Sequence, residues 1–264
     1  MNPNPIGVFD SGIGGLTIWK EINELLPFES TIYLADSANA PYGERSPEAI
    51  LELSRANTRR LMDLGCKLIV VACNTATTNA IEELRAEFSV PFIGIEPAIK
   101  PAGLQSRSGT IGVLATRGTL ASSLFSKTAR TYLKDIQIIQ QYGDGLVPLI
   151  ESDQIESDTM TLLLNRYLQP MIRSGADHVV LGCTHYPLLT ERIKRIMPEG
   201  ITIVDSGKPV ARQTLNVLRS YDLLSGLSNE PVHRFLTSGD PVLLKRFLLR
   251  FERHEDPQLV VTSV

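Results

Sequence analysis

Short apolar runs with no internal alternation recur along the chain: "IGVF" at 6–9, "IYLA" at 32–35, "KLIVVAC" at 67–73 and "PFIGI" at 91–95. Strands of this kind are covered on both faces, which predicts a mostly parallel sheet between two layers of helices. The intervening segments have helical spacing. Leu16, Trp19, Ile22 and Leu26 share one helical face. Ser46 as N-cap, Pro47 in the first turn and Gly65 as stop frame the next helix, and another is expected from about Thr78. This is a βα rhythm.

The rhythm repeats. "GCKLIVVACNT" from Gly65 lies over "GADHVVLGCTH" from Gly175, and Cys73 over Cys183, at the same offset. "IGVFDSG" at 6 recurs as "IGVLATRG" at 111, and "IGIEP" ends near Glu96 much as "ITIVDSG" reaches Asp205. Three matches in the same order imply an internal duplication: two α/β units joined near residues 97–110, where Pro97, Pro101, Gly103 and Ser106 to Gly109 read as a linker. After Asp205 come a helix-like "PVARQTLNVLRSY" and a strand-like "RFLTSG" at 234–239 with no counterpart in the first half.

Composition narrows the class of partner. The 264 residues carry a net charge of −3, with 43% hydrophobic and 21% charged residues, so the chain reads as globular and lacks the basic footprint that nucleic acid or an anionic membrane would select. A small molecule is the expected partner. No apolar run approaches the roughly 18 residues of a membrane span. The opening "MNPNPIGVF" has neither a positive n-region nor a long apolar core, and a cytoplasmic location is expected. Cys66, Cys73 and Cys183 form no CxxC pair and are expected to be free thiols.

Cys73 and Cys183 both stand where an apolar strand ends, the place in a parallel sheet where ligands collect. Each is followed by residues suited to an anion, Asn74 and Thr75 in one half, Thr184 and His185 in the other. If a duplicated fold faces its halves across a cleft, the two thiols approach one small ligand from opposite sides. Matched acid/base groups on two faces of a carbon suit removal of a proton from one face and delivery to the other, which inverts a stereocentre. A thiol near pKa 8.5 is brought towards neutrality by a helix N-terminus or a cationic neighbour, and can then act as base or acid. Asn74, Thr75 and Thr184 could stabilise the developing negative charge. Asp10, ending the first strand, could assist Cys73, and His185 could assist Cys183. The second half has Ala115 in place of Asp10, so the assistance is asymmetric.

Simpler roles compete with these. A single buried cysteine is usually a small apolar residue, and Cys66 is read that way. His178, His233 and His254 are read as structural. Asp10 could be a helix cap, and Tyr42 and Gly43 merely a turn after Pro41. "DSGIGGLT" lacks the third glycine of a dinucleotide loop, with Thr17 in its place, and "DSGKP" at 205–209 is no Walker loop. Both glycine clusters read as tight turns that leave Ser11 and backbone N–H groups for a ligand. A zinc site of Cys66, Cys73, Cys183 and His185 matches no compact ligand spacing. A thiol hydrolase using Cys183 and His185 leaves Cys73 unexplained. A two-lobed amino-acid binding module would carry a secretory signal.

At these positions the sequence closely resembles the glutamate-specific members of the aspartate/glutamate racemase family. The resemblance runs along essentially the whole chain, through "FDSGIGGLT" (9–17), "APYGERS" (40–46), "ACNTAT" (72–77), "GIEPA" (94–98), "LVPLIE" (146–151) and "GCTHYPLL" (182–189). "GCTH" rather than "GCTE" favours glutamate over aspartate, and aspartate racemisation is the alternative. The resemblance implies two pseudo-symmetric three-layer α/β domains, 1–97 plus 208–264 and 98–207, with the active site in the cleft between them. It implies a cofactor-independent two-base reaction in which Cys73 and Cys183 exchange roles, assisted by Asp10 and His185. Asp10, Ser11, Tyr42, Gly43, Asn74, Thr75, Thr184 and His185 match substrate-contacting positions, and no metal is implied. D-glutamate for peptidoglycan, hence cell-wall biogenesis and cell shape, is the implied product, and members commonly form homodimers. Some relatives carry a Cys-Pro or similar pair near Gly143 and Asp144, so no role is assigned to Glu151. The chain begins five residues before Ile6, and activation by a cell-wall precursor through an N-terminal extension is not expected.

Overall fold

The computed structural model describes residues 2–226, 230–251 and 259–263; His254 lies outside them. Two compact units divide the chain, residues 1–95 with 207–264, and residues 96–206. The first unit opens with β1 (Ile6–Asp10), α1 (Leu16–Leu25), β2 (Thr31–Ala35), α2 (Pro47–Asp63), β3 (Leu68–Val71), α3 (Asn74–Glu87) and β4 (Phe92–Gly94). The second contains α4 (Ile99–Gln105), β5 (Thr110–Ala115), α5 (Arg117–Leu120), α6 (Ser123–Tyr132), β6 (Gln137–Tyr142), α7 (Leu146–Glu151), α8 (Asp158–Arg173), β7 (His178–Gly182), α9 (Thr190–Ile196) and β8 (Thr202–Val204). The chain then completes the first unit with α10 (Gly207–Ser220), β9 (His233–Thr237), α11 (Pro241–Leu248) and β10 (Leu259–Ser263).

Every strand pairing among the described residues is parallel. The first sheet has the order β10-β9-β2-β1-β3-β4 and the second β6-β5-β7-β8. The four-strand order β2-β1-β3-β4 thus recurs as β6-β5-β7-β8, and in each unit the winding changes direction beside the central strand, between β1 and β3 and between β5 and β7. Such a switch point opens a crevice at the carboxyl edge of a sheet. Strands β1, β2, β3, β5 and β7 are buried at every residue, as uniformly apolar runs require.

Local signals account for the boundaries. The Ser46 hydroxyl accepts from the Ala49 N–H at the start of α2, with Pro47 at its first position. Gly65 (φ +81°) and Gly175 (φ +70°) occupy the left-handed region just after α2 and α8, which favours glycine. Trp19 of α1 donates Nε1–H to Thr31 at 2.8 Å, Thr31 meets His233 Nδ1 at 2.9 Å, and the indole packs edge-on against His233 and Phe235 of the returning strand β9. His233 is therefore structural, as is His178, whose Nδ1 lies 2.8 Å from Asp177.

Two boundaries differ from the sequence expectation. Residues 97–110 are not a linker: Ile99–Gln105 form α4, with Ile99, Ala102 and Gly103 buried in the second unit. Pro101 is tolerated because the first-turn N–H groups of a helix have no intrahelical partner. Helix α3 begins at Asn74 rather than near Thr78, with Cys73 as its N-cap. Its polar first turn is buried, and Thr77 donates to Val71 O and accepts from Ile95 N–H.

Candidate active site

In the first unit, the register of β1 on β2 and β3 brings the predicted residues to one carboxyl edge. Phe9 pairs with Val71, and the Ala72 N–H donates to Phe9 O at 2.8 Å, so Asp10 and Ser11 leave the sheet beside Ala72 and Cys73. The Cys73 thiol lies 3.7 Å from the Ser11 hydroxyl, and its sulfur accepts the Ala76 N–H at 3.4 Å. Cys73 thus meets the partial positive charge of the N-terminus of a 14-residue helix, an environment that favours a thiolate. Asn74 and Thr75 are buried behind it, and the Asn74 amide nitrogen makes no hydrogen bond within the described residues.

Asp10 is fully buried, and its Oδ2 accepts the Gly15 N–H at 2.7 Å. The cap-like role is therefore present. Tyr42 and Gly43 form a 3-10 turn (Tyr42–Glu44) that packs on α3. The Tyr42 hydroxyl donates to Asp36 Oδ2 at 2.6 Å and accepts from Asn57 Nδ2 at 3.0 Å. Burial, then the Asp36 carboxylate and the nearby Cys73, push this phenol far above its ordinary range. Asp36 was not anticipated from the sequence.

In the second unit, β7 delivers Cys183, Thr184 and His185 to the corresponding edge. No α-helix starts there. A 3-10 turn (Tyr186–Leu189) follows, and a different device serves the thiol. His185 Nδ1 faces Cys183 Sγ at 3.7 Å, and its Nε2 lies 2.6 Å from Glu151 Oε1. Burial works against the imidazolium, yet the hydrogen bonds and charges of Cys183 and Glu151 hold it well above its ordinary value. With Glu151 holding the proton on Nε2, Nδ1 can accept the thiol proton, giving a thiolate beside an imidazolium. Glu151, to which the sequence assigned no role, is part of the site.

Cys66 lies apart from this chemistry within the first unit. A Cβ on Gly7 would meet its sulfur at 3.0 Å, and burial pushes its thiol up to about 12.

The sequence matches the Asp/Glu/Hydantoin racemase family over residues 6–214. The chain belongs to that family. Among curated members, it is 46% identical over 241 residues to the glutamate racemase of Herpetosiphon aurantiacus, covering 91% of this chain and 95% of that one. It is 44% identical to that of Stutzerimonas stutzeri over 245 residues, covering 92% of each. Among solved structures, glutamate racemase isoform RacE1 of Bacillus anthracis superposes with a TM-score of 0.89 at 32% identity, covering 100% of this chain and 98% of that chain. The Escherichia coli glutamate racemase in complex with L-glutamate and the activator UDP-MurNAc-ala gives 0.83 at 34%, covering 98% and 100%. An aspartate racemase homologue from Pyrococcus horikoshii shares the fold at 16% identity. Within this racemase family fold, the two cysteines hold equivalent strand-end positions, one served by a helix N-terminus and the other by an imidazole–carboxylate pair.

Among the described residues, no helix is long and apolar enough to cross a membrane.

Proposed function

We infer that the chain interconverts L- and D-glutamate by proton transfer at the α-carbon, without a cofactor. The matched placement of Cys73 and Cys183 at the ends of β3 and β7 carries this reading. Racemisation needs a base on one face of the carbon and an acid on the other. One thiolate removes the α-proton, the other thiol delivers its proton to the opposite face, and turnover leaves the two sulfurs with exchanged protonation states. Asp10 assists Cys73, and the Glu151–His185 pair assists Cys183.

The α-proton beside a carboxylate is weakly acidic, so donors must meet the charge as it develops. Asn74 supports this role directly: its buried amide donor has no partner among the described residues, and leaving such a group unsatisfied costs about 1–3 kcal/mol. Ser11, Tyr42, Gly43, Thr75, Thr184 and His185 complete the set of substrate contacts. Glutamate itself is favoured by the relatives' names and by solved relatives in complex with D-glutamate, from Francisella tularensis, and with L-glutamate.

The Cys183–His185–Glu151 order also suits a thiol hydrolase. That reading leaves the matched Cys73 without work. The product supplies D-glutamate to peptidoglycan and so serves cell-wall biogenesis and cell shape. Three free cysteines suit the reducing cytoplasm as the place of action, and the homodimer common among family members is the assembly we propose.

The test supplies L-glutamate in deuterated water without added cofactor. D-glutamate deuterated at the α-carbon is expected. Unchanged L-glutamate with aspartate turning over, or with a thioester or amide cleaved, would replace the reading by one of its rivals.

A further inference from the structure

The segment that returns to the first unit has no counterpart in the repeat, yet it reaches the same carboxyl edge as Cys73. Strand β9 pairs with β2 in a register that sets Thr237 beside Ala35, and the Ser238 N–H donates to Ala35 O at 3.0 Å. Ser238 therefore arrives next to Asp36. Its hydroxyl donates to Asp36 Oδ1 at 3.0 Å and accepts the Ala38 N–H at 3.1 Å. A Cβ on the following Gly239 would stand 2.7 Å from the Ser37 Cβ, so the two turns are in close contact.

Asp36 passes this anchorage on. The carboxylate of this residue, which is 6% exposed as a whole, also accepts from Asn39 Nδ2 at 3.0 and 3.2 Å and from the Tyr42 hydroxyl at 2.6 Å. Because that hydroxyl donates to Asp36 and accepts from Asn57, Tyr42 is held by both its hydrogen-bonding directions. With the Tyr42 side chain buried, what the turn can offer a ligand is its backbone at Tyr42 and Gly43, held over α3 and within electrostatic reach of Cys73.

We propose that Ser238 is a positioning residue for the racemase reaction, holding Asp36 and, through it, the Tyr42–Gly43 turn beside Cys73. The proposal rests on the glutamate-racemase reading for its kinetic consequence only. The chain's last segment thereby acquires a role at the site besides completing the sheet.

The test uses the full-length protein and four variants: Ser238→Ala, Ser238→Thr, Tyr42→Phe, and Ser238→Ala with Tyr42→Phe. Losing one anchoring hydrogen bond should raise KM for glutamate about three- to tenfold, with kcat changed less. Ser238→Thr, which keeps the hydroxyl, should restore wild-type KM. The two single changes act along one route, so the double variant should fall short of their product. In parallel, the rate of Cys73 alkylation by iodoacetamide, read by peptide mapping against Cys183 as internal reference, should change by about threefold or more in Ser238→Ala, as loss of the same hydrogen bond implies. A Ser238→Ala protein that loses only thermal stability, with KM and Cys73 labelling unchanged, overturns the proposal. Should that variant not fold, Tyr42→Phe with wild-type KM and labelling overturns it equally. If the wild-type protein does not racemise glutamate, the functional reading fails, and the labelling ratio still decides the positioning role.

Discussion

Glu151 and His185, 34 positions apart in sequence, meet at 2.6 Å between Oε1 and Nε2, and the other ring nitrogen faces Cys183. The carboxylate fixes which nitrogen is turned to the sulfur and favours the charged ring. Glu151→Gln keeps the shape and removes the charge, so His185 must titrate at lower pH than in the wild type. The expected result is a fall in kcat of about a hundredfold, at the lower end of what general acid–base assistance supplies, with the alkaline limb of the pH–kcat profile moved to lower pH. A profile that keeps its wild-type limb would remove Glu151 from the mechanism.

The same pair predicts a stability change with pH. The folded-state value of His185 is raised above its ordinary 6.5, so the folded state binds the proton more tightly than the unfolded chain. This contribution is fully present below about pH 6.5 and is lost as pH rises through the raised folded value. Melting temperature should therefore fall over that interval in the wild type and fall less in Glu151→Gln. Thermal scans across neutral and alkaline pH measure both slopes.

Replacing either site cysteine should separate chemistry from folding. Cys73→Ala and Cys183→Ala each remove one of two required proton carriers, and loss of racemisation by more than about a thousandfold is expected. Both residues are buried, and the lost sulfur should cost only about 1 kcal/mol of stability. Circular dichroism and melting curves check the fold, while chiral chromatography of glutamate checks turnover. Normal turnover in either variant would remove that thiol from the reaction.

The sequence revealed the strand-end positions of both cysteines because buried parallel strands leave an unmistakable apolar run and the repeat supplied each with its counterpart. It concealed β6 because that edge strand, "QIIQQY", is polar and half-exposed. It concealed α4 behind Pro101 and Gly103; at the glycine, a Cβ would stand 2.2 Å from Leu133 Cδ2. The early start of α3 was hidden by threonines that are buried through side-chain hydrogen bonds rather than by apolar character. Glu151–His185 and Asp36–Ser238 are contacts across distant segments, and no local spacing announces them.

Lys67 and Glu29 test how firmly the returning segment is held. Their 2.6 Å ion pair is almost completely buried, and Glu29 also accepts the Ser225 N–H at 2.7 Å. Lys67→Met leaves Glu29 charged without its cation, which should cost about 3–5 kcal/mol, whereas Lys67→Met with Glu29→Gln should cost less. Denaturant titration gives both values. Turnover per folded molecule should be unchanged well below the melting point, since the pair lies at the amino-terminal edge of the sheet.

Gly143 couples packing to the Glu151–His185 pair within the second unit. A Cβ there would stand 2.1 Å from the Tyr186 hydroxyl oxygen and 2.7 Å from the ring carbon bearing it. Tyr186 cannot swing aside, because it is fully buried and its hydroxyl donates to Gly143 O at 3.2 Å. In Gly143→Ala the backbone must therefore retreat, and α7, which starts three residues later and ends at Glu151, is drawn away from His185. Overpacking of this kind costs about 1–3 kcal/mol. The decisive expectation is kinetic: the alkaline limb of the pH–kcat profile should move in the same direction as in Glu151→Gln. Adding Tyr186→Phe removes the clashing oxygen but not the ring carbon, so it should restore part of the stability and part of the profile. If Gly143→Ala loses stability while its pH profile stays at the wild-type position, the loop is a packing element alone and does not set the carboxylate on the imidazole.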